Sequence, residues 1–367
     1  MNLDNDKNSH LPEKPFTLSS YGDVDKRRYH PLLTSLVATF LYGSFVLGTL
    51  MPLVLLLLAG LMYMDLVPRY ALMALTTIVC LDYIIPLPVG DRPNIYFKER
   101  WDRMICEGAQ MYFPGRSIFL PKQLSKDKSY ILASWPHGLL AGGCHLGFYD
   151  FETHCGIYPL YSGASIMRYV PLTRRIIYTL GCVDVTKKSL IRALDVKSHG
   201  PKYPYNVVHL IVGGIHEMFY TPVGSEYEQI IVRSRKGFIK LALRTGSDII
   251  PYYSFGANQT YARISGPKSL LCTISRRFRF SVLMWFGRWW IPMSFIPFQV
   301  PLLGVVGEVF EVPKVKESEI TDELVQSVHS DFCKRLKILF DTYKVVYVEE
   351  MGADRSWLTR ELKFEDE

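Results

Sequence analysis

The sequence predicts an α/β fold: a mostly parallel sheet flanked by helices, preceded by an apolar helical hairpin that spans or re-enters a membrane. Three observations carry this. No charged residue occurs from Pro31 to Met64, a longer uncharged run than the ~20 residues a helix needs to cross a bilayer. A second apolar segment, Tyr70 to Val89, is interrupted only by Asp82. Beyond about residue 100, short strand-like apolar runs alternate with helix-like patterns, the texture of a sheet covered by helices.

Taken in order, residues 1–29 are polar, rich in Asn, Asp, Ser and Pro, and without periodicity. They read as a disordered tail, too polar for a secretory signal. Residues 30–89 form the hairpin, with Gly48 and Pro52 near the middle of its first arm and Asp65 and Arg69 at the turn. Lys26, Arg27 and Arg28 precede it, and Arg92, Lys98, Arg100 and Arg103 follow it. Cations on both outer flanks place both flanks on the cytosolic face. On that topology the sequon Asn258-Gln259-Thr260 is never glycosylated.

Residues 90–367 are the α/β unit. Strands are expected at Tyr130–Ala133, Tyr158–Tyr161, Val207–Val212, Ile249–Tyr253 and Val305–Phe310. Helices are expected around Leu139–Phe148, Ser165–Leu180, Ser189–Leu194 and Gly237–Leu243. Thr321 can cap a last helix with Asp322 and Glu323 in its first turn. Its buried face would carry Leu324, Val328, Phe332, Leu336 and Leu339. Between 282 and 303, Trp285, Trp289 and Trp290 cluster with Phe and Pro. Trp favours the membrane interface, so this stretch reads as a second membrane contact, with a lid over the core as the equal alternative.

Composition excludes several classes. A net charge of +7 over 367 residues, without a basic tail or a nucleic-acid motif, points to phosphate-bearing small molecules or anionic lipid and not to nucleic acid. The 7 cysteines are odd in number, scattered and without a Cys-x-x-Cys pair, which fits a reducing compartment. Cys144-His145 and His154-Cys155 match no zinc spacing, so no metal site is expected.

Chemistry concentrates at two turns. His137 follows Ser134-Trp135-Pro136 at the end of the first strand, and Gly138 comes next. Pro136 ends the strand because it has no N–H to give, and Gly138 admits a close approach to the backbone. A histidine there, beside the free N–H groups of a following helix, can deprotonate a hydroxyl and steady the oxyanion that results. Gly213-Gly214-Ile215-His216-Glu217 closes the strand 207–212 in the same way. In a parallel sheet both turns lie on one edge, so Glu217 can reach His137 and hold its imidazole. Glu217 reads equally well as an acid at a helix start, and His216 is a rival base. A basic run, Arg233, Arg235, Lys236, Lys240 and Arg244, suits either a solvated face or phosphates; Arg168, Arg174 and Arg175 compete for the latter role.

Together these motifs resemble the type-2 diacylglycerol acyltransferase family, with its monoacylglycerol and wax-alcohol acyltransferases, from the hairpin to about Lys344. Tyr112-Phe113-Pro114 is similar to the family's Tyr-Phe-Pro element, Pro136-His137-Gly138 to His-Pro-His-Gly, and Gly213-Gly214 with Glu217 to Gly-Gly-x-x-Glu. The longest match runs from Arg235-Lys236-Gly237-Phe238-Ile239-Lys240-Leu241-Ala242 through Gly246 and Pro251 to Phe255-Gly256-Ala257-Asn258; Val305-Val306-Gly307-Glu308 resembles a late family segment. The family's first signature histidine is Trp135 here. A Trp cannot carry protons, and it would instead wall the acyl or acceptor pocket. Glycerol-phosphate acyltransferases carry an Asp four residues beyond the histidine, where this chain has Gly142.

The resemblance implies an acyltransferase-like sandwich and direct transfer from acyl-CoA, a co-substrate, to diacylglycerol, giving triacylglycerol without metal or bound cofactor. His137 would be the base, Glu217 its orienting acid and Gly138 the source of oxyanion donors. Trp135, Pro136, Tyr112, Phe113, Pro114, Gly213, Gly214, Arg235, Lys236, Gly237, Lys240 and Asn258 would contact substrate. The implied place is the endoplasmic reticulum membrane or a lipid droplet, with the catalytic unit and N-terminus cytosolic; a homo-oligomer is compatible with this. Monoacylglycerol, a long-chain alcohol or a lysophospholipid stay open as acceptors, as does an inactive relative that only binds lipid.

Overall fold

Strand β3 (Tyr130–Trp135) buries all six of its side chains and strand β8 (Asp248–Phe255) all eight. Uninterrupted burial on both faces is what the middle of a parallel sheet demands, since helices cover it from two sides. The computed structural model describes residues 18–19, 56–57, 59–64, 69–121, 124–139, 151, 154–155, 157–171, 173–196, 206–278, 283–294 and 296–366. The remaining strands are β1 (Leu18–Ser19), β2 (Gly115–Phe119), β4 (Pro159–Gly163), β5 (Cys182–Asp184), β6 (Val207–Ile211), β7 (Tyr227–Ile231), β9 (Ala262–Arg263), β10 (Trp285–Phe286), β11 (Leu302–Val306) and β12 (Glu361–Glu365). The α-helices are α1 (Arg69–Ile84), α2 (Ile95–Tyr112), α3 (Thr173–Thr179), α4 (Lys187–Ala193), α5 (Gly214–Glu217), α6 (Gly237–Thr245), α7 (Leu270–Phe278) and α8 (Asp322–Glu349).

Eight strands form the main sheet in the order β1-β2-β11-β8-β3-β6-β4-β5. From β8 to β5 all neighbours are parallel. β11 runs against β8 and parallel to β2, and β1 runs against β2. This is the expected mostly parallel sheet with a reversed flank. The registers Ser134↔Ile211 and Trp135↔Tyr253 bring the ends of β6, β3 and β8 to one edge. His137, the Gly213–Glu217 turn and Gly256–Asn258 therefore follow three adjacent strand ends, where parallel sheets open their crevices. β2 starts at the same edge, because Gly115 pairs with Leu302 and Leu303 with Phe255. Three strand spacings separate β2 from β3, about 14 Å.

Three expectations are corrected in detail. The last sheet strand lies at Leu302–Val306, earlier than 305–310; the chain leaves the ladder at Gly307 and returns at Phe310 for one bridge to Ile249. The region 165–180 is a 3-10 turn (Ser165–Tyr169) and then α3, divided by Pro171, whose ring cannot continue a helix. Helix α8 begins as expected, with the Thr321 side chain accepting from Leu324 N. Its buried side, however, opens on Val325 and His329, leaving Leu324 and Val328 half-buried, before joining Phe332, Leu336 and Leu339. A second sheet, β7 with β12, has no counterpart in the expectations. The helix expected at 139–148 lies, from residue 140 on, outside the described residues.

Most of the hairpin's first arm is likewise outside them. Of the second arm, α1 is 16 residues long, about 24 Å against a hydrocarbon core of about 30 Å. Among the described residues no helix is long and apolar enough to cross a membrane. Tyr70, Met73, Ile78 and Ile84 are exposed on α1, yet Asp82 is buried. Its carboxylate receives Arg174 Nε at 2.8 Å and Arg175 Nε at 2.9 Å. The one charge in the apolar segment thus pins the end of α1 to the α/β unit.

Candidate active site

The edge beyond β3 is organised by Glu217. The side chain is 1% exposed, and both carboxylate oxygens accept backbone N–H groups. His137 N donates to Oε2 at 2.6 Å and Ile231 N to Oε1 at 2.9 Å. The carboxyl lies folded over Gly213, where any Cβ would overlap it. Gly214 then takes a positive φ of +64°, which glycine alone enters without strain. The Gly-Gly pair therefore serves geometry: the first glycine makes room for the carboxylate and the second turns the chain so that Glu217 points back. Arg235 Nη2 donates to Gly213 O at 3.3 Å and braces the same turn.

Glu217 does not hold the imidazole, contrary to the sequence expectation. It holds the backbone of His137, and the ring has its own partner: Nδ1 lies 2.9 Å from Gly138 O. A carbonyl only accepts, so Nδ1 carries the proton and Nε2 presents a lone pair. Burial lowers the histidine's pKa from 6.5, and the bond to Gly138 restores only part of it. The ring is therefore neutral at pH 7, the state of a base awaiting a proton. Gly138 has φ +60° and packs against Ala257, whose carbonyl a Cβ at Gly138 would meet at 3.2 Å.

Trp135 contributes from the other side. It is 0% exposed, set in the core against Phe238 and Phe332, so it walls no pocket. Its Nε1 donates to Ile231 O at 3.3 Å. A closed circuit results: Trp135 holds Ile231, Ile231 holds Glu217, and Glu217 holds His137, two residues beyond Trp135. Burial pushes the Glu217 carboxyl up to about 8, and the two N–H donors and Arg235 pull it back only in part. Two groups shifted by desolvation in one hydrogen-bonded turn make it a candidate reactive site.

The other expected site residues divide. Asn258 lies on this edge, but its Nδ2 donates to Glu228 Oε2 at 2.8 Å, within a buried network of Glu228, Tyr253 and Arg360. Pro136 is buried. Lys236 precedes α6 and Gly237 opens it, exposed. Lys240 pairs with Asp322 at 2.9 Å and Arg244 with Glu317, both descending α6 away from His137. Arg168 is paired with Asp184, and Arg174 and Arg175 with Asp82. Tyr112, Phe113 and Pro114 enter β2 and fasten the aromatic stretch: Tyr112 Oη donates to Pro297 O at 2.5 Å and Leu302 N to Pro114 O at 3.0 Å. His216 lies on α5, half-buried. His154 stacks on Phe119 and Cys155 is buried, its thiol pushed up to about 12 by desolvation; Cys144 and His145 lie outside the described residues. Ile231 was invisible to sequence reasoning because it acts through its backbone, which no side-chain pattern marks.

Residues 63–353 match the family described as Diacylglycerol acyltransferase. The chain belongs to the diacylglycerol acyltransferase family. It is 32% identical over 254 residues to diacylglycerol O-acyltransferase 2-like protein 6 of Bos taurus, covering 65% of this chain and 72% of the relative. It is 29% identical over 248 residues to acyl-CoA wax alcohol acyltransferase 2 of Mus musculus, covering 64% and 72%. It is 28% identical over 256 residues to 2-acylglycerol O-acyltransferase 3 of Homo sapiens, covering 66% and 72%. The solved structure of the 1-acyl-sn-glycerophosphate acyltransferase PlsC from Thermotoga maritima superposes with a TM-score of 0.36 at 11% identity, over 84% of this chain and 98% of that one. As a diacylglycerol acyltransferase family member the protein is an acyltransferase of lipid metabolism.

An apolar cluster ties this site to the aromatic stretch. Leu139, beside Gly138, and Met218 and Phe219, beside Glu217, share it with Tyr261, Leu283 and Trp285. Trp285 Nε1 donates to Ser294 O at 2.8 Å, closing the loop that carries Trp289 and Trp290 outward. Those two are 66% and 63% exposed and hold positive φ of 59° and 56°.

Proposed function

We propose that the protein is a diacylglycerol O-acyltransferase that moves a fatty acyl group from acyl-CoA to diacylglycerol, forming triacylglycerol. The observation that carries this reading is the His137 imidazole, whose Nδ1 is bonded to Gly138 O, leaving Nε2 to act as base. Nε2 removes the proton from the acceptor hydroxyl as that oxygen attacks the thioester carbon. The tetrahedral intermediate collapses with the sulfur leaving, and the imidazolium returns its proton to the thiolate. Base catalysis of this kind is worth about 10²–10⁴-fold. Glu217 orients by fixing the His137 peptide. No metal or bound cofactor enters the scheme.

The acceptor assignment rests on the family. Relatives named for wax alcohol and for 2-acylglycerol make hexadecanol and monoacylglycerol the competitors to test. A membrane surface supplies the lipid. The exposed Trp289, Trp290 and Ile291 suit the interface, where an indole buries its ring and keeps its N–H wet. Trp285 then connects that tip to the cluster beside His137, an apolar route for acyl chains. The reading places the protein in the endoplasmic reticulum membrane or on lipid droplets, catalytic unit facing the cytosol.

The test is acyl transfer in membranes from cells stripped of their own neutral-lipid acyltransferases, with labelled oleoyl-CoA and diacylglycerol, monoacylglycerol or hexadecanol. Triacylglycerol should form and His137→Ala should abolish it at matched expression. If His137→Ala keeps most of the activity while His216→Ala loses it, the base is His216 and the proposed mechanism is wrong.

A further inference from the structure

Arg263, half-buried as a residue, is an anomaly among the cations packed into the fold. Arg174 and Arg360, the guanidinium-bearing residues most deeply buried among the described residues, each meet a carboxylate: Asp82 for the first, Glu228 for the second. Arg263 meets none. Its Nε and Nη2 are sealed from solvent and have no hydrogen-bond partner. These two donors form one edge of the guanidinium, the fork that grips two oxygens of a phosphate or carboxylate side by side. Arginine cannot shed its charge to escape burial. Although desolvation draws it down to about 10, Glu228 and Glu217 resist that through space, so the group stays cationic at neutral pH. A native chain leaves few buried donors unsatisfied, and those it leaves call for an explanation.

Its location supplies one. Arg263 lies on β9, pairing with Trp285 of β10. It follows the Gly256–Asn258 turn on the reactive edge by five residues, and Tyr261, two positions back, packs in the cluster that holds Leu139 and Phe219. The unfilled fork therefore sits on the ribbon between the site and the aromatic loop. Five of the other basic candidates are spoken for: Lys240, Arg244, Arg168, Arg174 and Arg175 all have acidic partners.

We propose that Arg263 is a substrate-recognising residue of this active site, whose Nε–Nη2 edge takes a phosphate group of the bound substrate in a bidentate contact. The inference rests on the acyl-transfer reading for the identity of the substrate. A phosphate can arrive there on coenzyme A, as part of the acyl donor, or on the headgroup of a phosphorylated acceptor. Either would satisfy both orphaned donors and neutralise the charge.

The experiment separates recognition from chemistry. Binding of coenzyme A and of oleoyl-pantetheine, which lacks every phosphate, is measured by titration calorimetry on the full chain in nanodiscs. Wild type, Arg263→Gln, Arg263→Lys and His137→Ala are compared. Arg263→Gln should weaken coenzyme A binding about 10- to 100-fold and leave oleoyl-pantetheine unchanged. Arg263→Lys, which keeps the charge but loses the fork, should fall between. His137→Ala should bind coenzyme A as wild type does, so the result stands whether or not His137 is the base. If coenzyme A binding is unaltered but Arg263→Gln selectively loses transfer to lysophosphatidate, the phosphate is the acceptor's and the proposal holds in that form. If neither changes, or if oleoyl-pantetheine binding falls as far as coenzyme A binding, the proposal is overturned.

Discussion

Replacing Glu217 by glutamine preserves the volume of the side chain and exchanges one carboxylate oxygen for an –NH₂ group. Because the two oxygens serve His137 N at 2.6 Å and Ile231 N at 2.9 Å, the amide can satisfy only one of them and turns a donor toward the other. One buried N–H is left without an acceptor, at about 1–3 kcal/mol. Glu217→Ala orphans both, about 2–6 kcal/mol. The two variants should therefore lose thermal stability in the ratio of about one to two, read as the temperature of half-inactivation in nanodiscs. Activity should fall further than stability, since the lost bond fixes the His137 peptide and a displacement of about 1 Å is worth about 10²-fold in rate. The loss should appear in kcat, with KM for acyl-CoA nearly unchanged. The pH dependence supplies a second readout. Glu217 is held near 8 in the folded state against an ordinary 4.5. The fold binds that proton when the unfolded chain does not, so wild-type stability declines as pH rises from 4.5 to about 8, by at most about 1.4 kcal/mol per pH unit. Glu217→Gln lacks this contribution and should show the shallower decline. A glutamine variant with wild-type half-inactivation temperature, slope and kcat would refute the claim that this carboxyl holds the turn.

Gly213→Ala places a methyl group inside the Glu217 carboxyl, so it should cost at least as much activity as Glu217→Gln, whereas alanine at Gly237, which meets nothing within 4 Å, should stay within about twofold in the same assay. Burial lowers the His137 pKa, so the acid limb of the kcat/KM profile should lie below the ordinary 6.5, with activity rising as pH increases through it; a limb above 6.5 would contradict a desolvated imidazole. Asp82→Ala leaves the buried Arg174 without its carboxylate, a loss of about 3–5 kcal/mol, and limited proteolysis should cut between α1 and α2 far sooner than in wild type. Serine at both Trp289 and Trp290 should raise the apparent KM for diacylglycerol supplied in vesicles several-fold, without altering transfer to a short-chain, water-soluble acceptor.

The amino-acid sequence by itself determined the alternation of strands and helices, because buried parallel strands need continuous apolar runs such as Tyr130–Ala133 and Ile249–Tyr253. It located the two turns of the candidate site, since Pro136, Gly138 and the Gly213-Gly214 pair are residue types that only special backbone geometry requires. It also led to the family through the motifs around them. Tertiary structure decided what the turns do to each other. That Glu217 grips the backbone of His137 and not its ring depends on where Ile231 brings its N–H, and a backbone donor leaves no trace in side-chain patterning. The same holds for Trp135: its type suggested a pocket wall, and only the packing of Phe238 and Phe332 turns it inward to hold Ile231. The basic residues were legible as charges but not as partners, because ion pairs such as Asp82–Arg174 join positions far apart in the chain. What remains, Arg263 with its empty fork, becomes conspicuous only once Arg174 and Arg360 have been matched to Asp82 and Glu228 in three dimensions.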